Sequence, residues 1–135
     1  MKSRKITVRS LPTTSTADGP RRVVEDRGEL ALLHPVGPVY NPVYLDLHPG
    51  EGYFRGGHYH KMKTDCLYVV SGTFSMMLVD LDTGESDSIT LTRGDMMTIG
   101  PRCAHKLIAI EFSRGVEFSL DDVDYVGDTE AHNFE

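Results

Sequence analysis

The sequence predicts an all-β protein, a sandwich or barrel of short strands in a single domain. Two observations carry that prediction. Turn signals recur about every 8 to 12 residues, the spacing of short strands joined by tight connections. No segment shows the 3.6-residue apolar stripe that a surface helix would need. The length agrees: 135 residues and 15.0 kDa suit one core, in a chain of a size that buries about two-thirds of its unfolded surface.

The elements follow in order. "KITVR", from Lys5, alternates polar and apolar residues as a half-buried strand does. "RRVVEDRGELALLHPV", from Arg21, holds two short apolar runs broken by Asp26, Arg27 and Gly28, two strands joined by a turn. After the Pro/Gly loop "HPGEG" come "YFRGGHYH" and "DCLYVVS", then Gly72, then "TFSMMLVDL" and the turn Asp82-Thr83-Gly84. "SITLT" runs into Arg93-Gly94-Asp95 and "MMTI" into Gly100-Pro101. "HKLIAIEF" and "GVEFSL" close the series. The tail "DDVDYVGDTEAHNFE" carries five acids between Asp121 and Glu130 and reads as a surface segment packed by Val123 and Tyr125. The domain 1–135 thus divides into an N-terminal strand region 1–47, a barrel core 48–120 and a tail 121–135.

Composition narrows the function classes. A formal charge of −6 and a pI near 5.4, with no basic stripe interleaved with aromatics, exclude nucleic acid as the expected partner. The opening residues lack the apolar core of a secretory signal, and no run reaches the ~18 apolar residues of a membrane-spanning helix. A soluble cytoplasmic protein is expected. Cys66 and Cys103 are read as free thiols acting as small hydrophobes, since a lone bridge is unfavoured in a reducing compartment. The methionines are read as core filler, and His34, His48 and His132 as surface residues.

The chemistry concentrates in "GGHYHKMKTDCLYVVSG". Residues two apart on a strand face the same side, so His58 and His60 project together, with bases roughly 7 Å apart. "KMKT" then turns the chain, and a strand returning from Asp65 brings a carboxylate back beside them. Downstream, "RGDMMTIGPRCAH" delivers His105 after a Gly-Pro turn. Three imidazoles and a carboxylate, His58, His60, His105 and Asp65, suit a divalent transition metal (Zn, Fe, Mn, Ni or Co) with positions left open for water or substrate. Glu111 and Glu117 fall in apolar strands, where a carboxylate needs a reason to be; Glu111 shares strand parity with His105 and is expected on the same face.

Taken together, these two stretches resemble the paired motifs of the cupin superfamily, G-x5-H-x-H-x(3,4)-E-x6-G and G-x5-P-x-G-x2-H-x3-N. His58, His60 and the spacing from Asp65 to Gly72 match the first; Gly94, Pro101 and His105 match the second. The departures are Asp65 where the family carries glutamate, Gly100 before rather than after the proline, and Ala109 or a neighbour in place of the final asparagine. The resemblance implies a cupin jelly-roll barrel, the double-stranded β-helix. "YFRGGHYHK", with "EDRGEL" and the tail, is more particularly similar to RmlC-like cupins, the sugar 3,5-epimerases and 3,4-ketoisomerases. Those relatives need no metal and use a histidine base on an "RG-x-H" strand.

That resemblance implies His58 as the base that removes a proton next to a keto group, with His60 or Tyr53 supplying or relaying a proton, and Arg55 near the diphosphate or sugar. Tyr59, between the histidines, faces away from them. Tyr53 would share their face only if Gly56 and Gly57 form a bulge. Three functions compete: a sugar-nucleotide epimerase or isomerase, a metal-dependent oxygenase or cyclase, and a cupin that binds a small molecule or sugar without chemistry. A metal-holding epimerase reconciles the first two and is the leading expectation, with Glu111 placed among the substrate contacts. A homodimer is expected, with the "KITVR" strand covering an exposed edge.

Overall fold

The computed structural model describes residues 2–13 and 18–135; residue 1 and residues 14–17, inside the expected region 1–47, lie outside the described residues. Strands β1 (Ile6–Ser10), β2 (Arg21–Glu25), β3 (Gly28–Leu32) and β4 (Tyr40–Leu47) precede a short 3-10 turn, Glu51–Tyr53. Then come β5 (Arg55–His60), β6 (Asp65–Ser71), β7 (Thr73–Asp80), β8 (Ser86–Thr92), β9 (Asp95–Ile99), β10 (Cys103–Ala109) and β11 (Ser113–Ser119). The tail forms one helical turn, α1 (Tyr125–Asp128), and a last strand, β12 (Thr129–Ala131). Among the described residues no helix is long and apolar enough to cross a membrane.

Two five-stranded sheets face each other, ordered β1-β9-β6-β11-β4 and β12-β5-β10-β7-β8, and β2 and β3 form a separate hairpin. From β4 to β11 the chain passes repeatedly between the sheets, the path of a jelly roll. The expected all-β class holds. β4 was not foreseen, because Pro42 and the polar residues around it weaken its pattern. It lies at an edge of its sheet, where a missing N–H costs no ladder bond.

The main core lies between the sheets, built from residues such as Leu45, Leu67, Val69, Phe74, Met76, Leu78, Met97 and Leu107. Strand β7 alternates buried and half-buried side chains as one buried face requires. In β6 five successive residues from Asp65 are buried, because the sheet is covered on both sides. Cys66 and Tyr68 point outward into a second cluster with Leu11, Met96 and Phe118, against which Ala31 and Leu33 pack. Both cysteines are free and buried, and burial pushes the Cys103 thiol up to about 11.

The hairpin is pinned over that second cluster by charge. Glu29 accepts hydrogen bonds from Arg22 Nε at 2.7 Å, from Arg93 Nη2 at 2.8 Å and from the Tyr68 hydroxyl. These donors, Arg22 foremost, hold the Glu29 carboxyl down at about 2. Its folded value lies below its unfolded one, so its stabilisation is present above pH 4.5 and is lost as pH falls through 2. Glu29→Gln is expected to cost about 2 kcal/mol at pH 7 and to remove this part of the acid sensitivity, read from urea midpoints at pH 7 and pH 3.

The "KITVR" strand pairs in this chain with β9, Val8 opposite Met97. That edge of β9 is therefore occupied without a second subunit. The tail is also more integrated than a surface segment: β12 extends the second sheet beside β5.

Candidate functional site

Strand β5 carries the site because it is bulged. His58 pairs with His105 on β10, whereas Gly56 pairs with Lys106, which leaves Gly57 as an extra residue. Gly56 has φ of 82° and Gly57 of 77°. A Cβ on Gly56 would meet the His105 carbonyl oxygen at 2.7 Å, so only glycine fits there. The bulge expected at these glycines is present, and it turns His58 toward His105.

The three imidazoles converge. Ring centroids lie 4.9 Å apart for His58 and His60, 4.8 Å for His58 and His105, and 5.3 Å for His60 and His105. His105 Nδ1 donates to the Cys103 carbonyl at 3.1 Å, because a carbonyl can only accept; its other nitrogen is left bare. His60 is fixed from the tail. The Thr129 hydroxyl donates to the Tyr125 carbonyl at 2.6 Å, so it accepts from His60 Nδ1 at 3.1 Å. His60 Nε2 then lies 2.7 Å from Asp65 Oδ2, off the line of a straight hydrogen bond. Two bare acceptors at that distance repel; the contact is attractive only with a proton or a cation between them.

Asp65 differs from the expected metal ligand. Its second oxygen, Oδ1, meets Lys63 Nζ at 2.9 Å, and the Lys63 ammonium, almost wholly buried, lies 4.2 Å over the Tyr125 ring. A buried ammonium requires an anion, and Asp65 is that anion. Burial alone would raise the Asp65 carboxyl, but the bonds to His60 and Lys63 outweigh it and hold the carboxyl low. The side chains grouped closely enough to hold an ion are His58, His60 and His105, with ligand atoms within 4.8 Å of one another. Their donor chemistry fits a divalent transition ion, and the His60 nitrogen lacking a straight partner is an observation in its favour.

The turn that places Lys63 is held by the acidic tail. Asp128, buried, accepts from the backbone N–H of Met62 at 2.9 Å and of Lys63 at 3.1 Å, and Asp121 accepts from Thr64 N–H at 2.7 Å. The tail acids read as surface charge are thus partly structural.

A cavity of about 230 Å³ opens beside the histidines. One wall comes from the second sheet, with Arg55, His58, Met76, His105 and Leu107. The facing wall comes from the first, with Val43, Leu45 and Glu117, and Tyr125 closes one end. Burial, then the charge of His60, lowers the His58 pKa, and burial takes His105 down to about 4. Both are neutral at pH 7, and His58, only half-buried, opens onto the cavity.

Two expected residues are elsewhere. Tyr53 sits on the 3-10 turn, 63% exposed, its ring 6.3 Å from that of His48, and lines a neighbouring groove. The bulge could not bring it in because the strand begins only at Arg55. Glu111 lies past the end of β10 in an exposed turn, since parity with His105 required a strand that stops at Ala109. Arg55 lines the main cavity and the neighbouring groove. Among the lone histidines His48 is exposed, but His34 and His132 are half-buried. Tyr125, which the sequence reading took only as tail packing, lines the cavity with its ring 5.9 Å from that of His60. Its Asp-Tyr neighbourhood carried no local signal of that placement.

No protein-family model matches the sequence, and no curated protein matches it. Solved structures do. The dTDP-4-dehydrorhamnose 3,5-epimerase from Sulfolobus tokodaii is 17% identical, with a TM-score of 0.76 over 99% of this chain and 80% of its own. The TDP-quinovose 3,4-ketoisomerase from Campylobacter jejuni is 19% identical, with a TM-score of 0.73 over 98% and 95%. The sugar 3,4-ketoisomerase from Thermoanaerobacterium thermosaccharolyticum in complex with TDP is 16% identical, with a TM-score of 0.73 over 97% and 90%; a mutant of it was solved with TDP-4-keto-6-deoxyglucose. The chain shares the jelly-roll fold of these enzymes, which are RmlC-like cupins.

Proposed function

We propose that this cupin is a sugar epimerase or isomerase that moves a proton on a carbon next to a keto group. The observation that carries the reading is His58: a neutral imidazole, half-buried, at the wall of a cavity whose other polar side chains are Tyr44, Arg55, His105, Glu117 and Tyr125. A base of this kind removes an α-proton. Arg55 lines both the cavity and its neighbouring groove, which supports a role for its guanidinium in meeting a phosphate that extends outward. The fold neighbours solved with TDP or a TDP-keto-sugar support a nucleotide-linked sugar as the substrate class.

The test is incubation with TDP-4-keto-6-deoxyglucose in deuterium oxide, followed by proton NMR. Loss of signal at the carbons flanking the keto group is the expected result. Binding without exchange would instead make the protein a sugar-binding cupin.

A second reading rests on the His60 nitrogen that lacks a straight partner. A divalent transition ion held by His58, His60 and His105 would polarise a carbonyl as a Lewis acid. Elemental analysis of protein purified without a histidine tag, wild type against His60→Ala, separates the readings: about one equivalent lost in the variant supports the ion and opens oxygenase or cyclase chemistry to assay. A homodimer belongs to the proposal as well. Val8 on β1 and Val43 and Tyr44 on β4 leave apolar surface on the two outer strands of one sheet, and sedimentation velocity measures the outcome.

A further inference from the structure

Glu117 is the polar group of the cavity that neither the motif nor the histidine cluster explains. It lies in β11, in the sheet opposite the one that carries His58, and the cavity lies between the two. On that wall Val43 and Leu45 are apolar, and Tyr44 is the other polar side chain. Among the described residues its carboxyl has no hydrogen-bond or ion-pair partner, although strands place carboxylates in such surroundings only at a desolvation cost. Leu67, its register partner on β6, is a core residue and offers it nothing.

We propose that Glu117 is a second catalytic residue, the acid that delivers a proton to the face of the substrate turned away from His58, so that the cavity is built to invert a carbon centre. This deepens the proposed function and rests on it. The requirement is geometric: a keto-enediol shift can return its proton on the face it left, with one group serving both steps, whereas inversion needs groups on opposite faces. His58 and Glu117 come from opposite sheets. Tyr125, the other candidate donor, approaches from the tail beside His60, on the histidine side.

The step balances. An imidazole nitrogen of His58 takes the proton from the carbon next to the carbonyl. The C–H electron pair becomes a C=C bond, and the carbonyl oxygen takes the negative charge of an enolate. The Glu117 O–H bond then breaks as its proton bonds to the opposite face of that carbon, and the carbonyl reforms. The imidazolium and the carboxylate that remain reset by returning and taking one proton through solvent.

Glu117 must hold its proton to act in this direction, and its surroundings provide for that. Burial, then the charge of Asp65, pushes its carboxyl up to about 7, against the opposing pull of Lys63 and Arg55. The other titratable groups lining the cavity are Tyr44 on β4, His58 on β5, His105 on β10 and Tyr125 on α1. The folded value lies above the unfolded one, so the stabilisation that the protonated group gives is complete below pH 4.5 and is lost as pH rises through 7. Inversion should follow the same limb, falling above pH 7 with the protonated fraction.

The experiment compares wild type with Glu117→Gln on TDP-4-keto-6-deoxyglucose in deuterium oxide, scoring by proton NMR both exchange next to the keto group and appearance of the inverted product. The expected result is that the variant keeps exchange within a few-fold and loses inversion by 10² or more, the usual contribution of a positioned acid. Inversion by the variant at the wild-type rate, or exchange without inversion by the wild type, overturns the assignment. Absence of exchange in the wild type overturns the proposed function itself, and is distinguished by that. Should the variant not fold, the wild-type pH profile of inversion decides: a fall near pH 7 with exchange maintained supports Glu117, and a flat profile from pH 5 to 9 overturns it.

Discussion

Replacing His58 by Gln is expected to lower solvent exchange next to the keto group by about 10² to 10⁴, while the fold and the affinity for TDP are kept. The expectation follows from what His58 does and does not touch. Its ring stacks edge to face on His105 and lines the cavity, and among the described residues no carboxylate or backbone group is hydrogen-bonded to the ring, so Gln removes an imidazole without stranding a buried partner. His60→Gln should behave differently. That side chain is bonded to Thr129 and in contact with Asp65, and its loss disturbs the tail strand as well as the chemistry. Exchange rates beside melting temperatures for the two variants measure the difference. A His58 variant with wild-type exchange would remove the imidazole base from the mechanism.

The largest expected effect on stability is at Asp65. Asp65→Asn leaves the Lys63 ammonium, buried under the Tyr125 ring, without its anion, and removes the negative partner of His60 Nε2. Breaking a buried pair from one side costs about 3 to 5 kcal/mol, a large part of the ~5 to 15 kcal/mol that hold a domain of this size. Lys63→Met combined with Asp65→Asn should recover much of the loss, because no unpaired charge then remains. Urea unfolding of the two single variants and the double variant gives the coupling energy directly. Additive effects would show that the pair is not a unit. If instead a metal ion bound at Asp65 carried the stabilisation, chelator would mimic Asp65→Asn in the wild type.

Much of the architecture was legible because it is written in local signals. Alternation in "TFSMMLVD", turns at Gly72, Asp82-Thr83-Gly84 and Gly94, and the bulge glycines 56 and 57 each report a backbone requirement met within a few residues. The convergence of His58, His60 and His105 was legible from strand parity and the cupin-like spacing. Glu111 and Tyr53 were misplaced for one shared reason: parity transmits direction only while a strand continues, and β10 ends at Ala109 while β5 starts at Arg55. β4 was passed over because edge strands tolerate Pro and polar residues, and so lack the pattern of central ones.

By itself, then, the sequence determined the all-β class, most of the strands and the histidine cluster, since each depends on periodicity or on residues close in the chain. Only the tertiary structure decided which charges meet. Asp65 pairs with Lys63 and His60, Asp128 and Asp121 hold the turn of residues 61–64 from more than fifty residues away, and Glu117 and His58 line one cavity from opposite sheets. Those partnerships arise from sheet order and register, which bring distant residues within a few ångströms at low dielectric. There a single buried carboxylate is worth several turns of local preference.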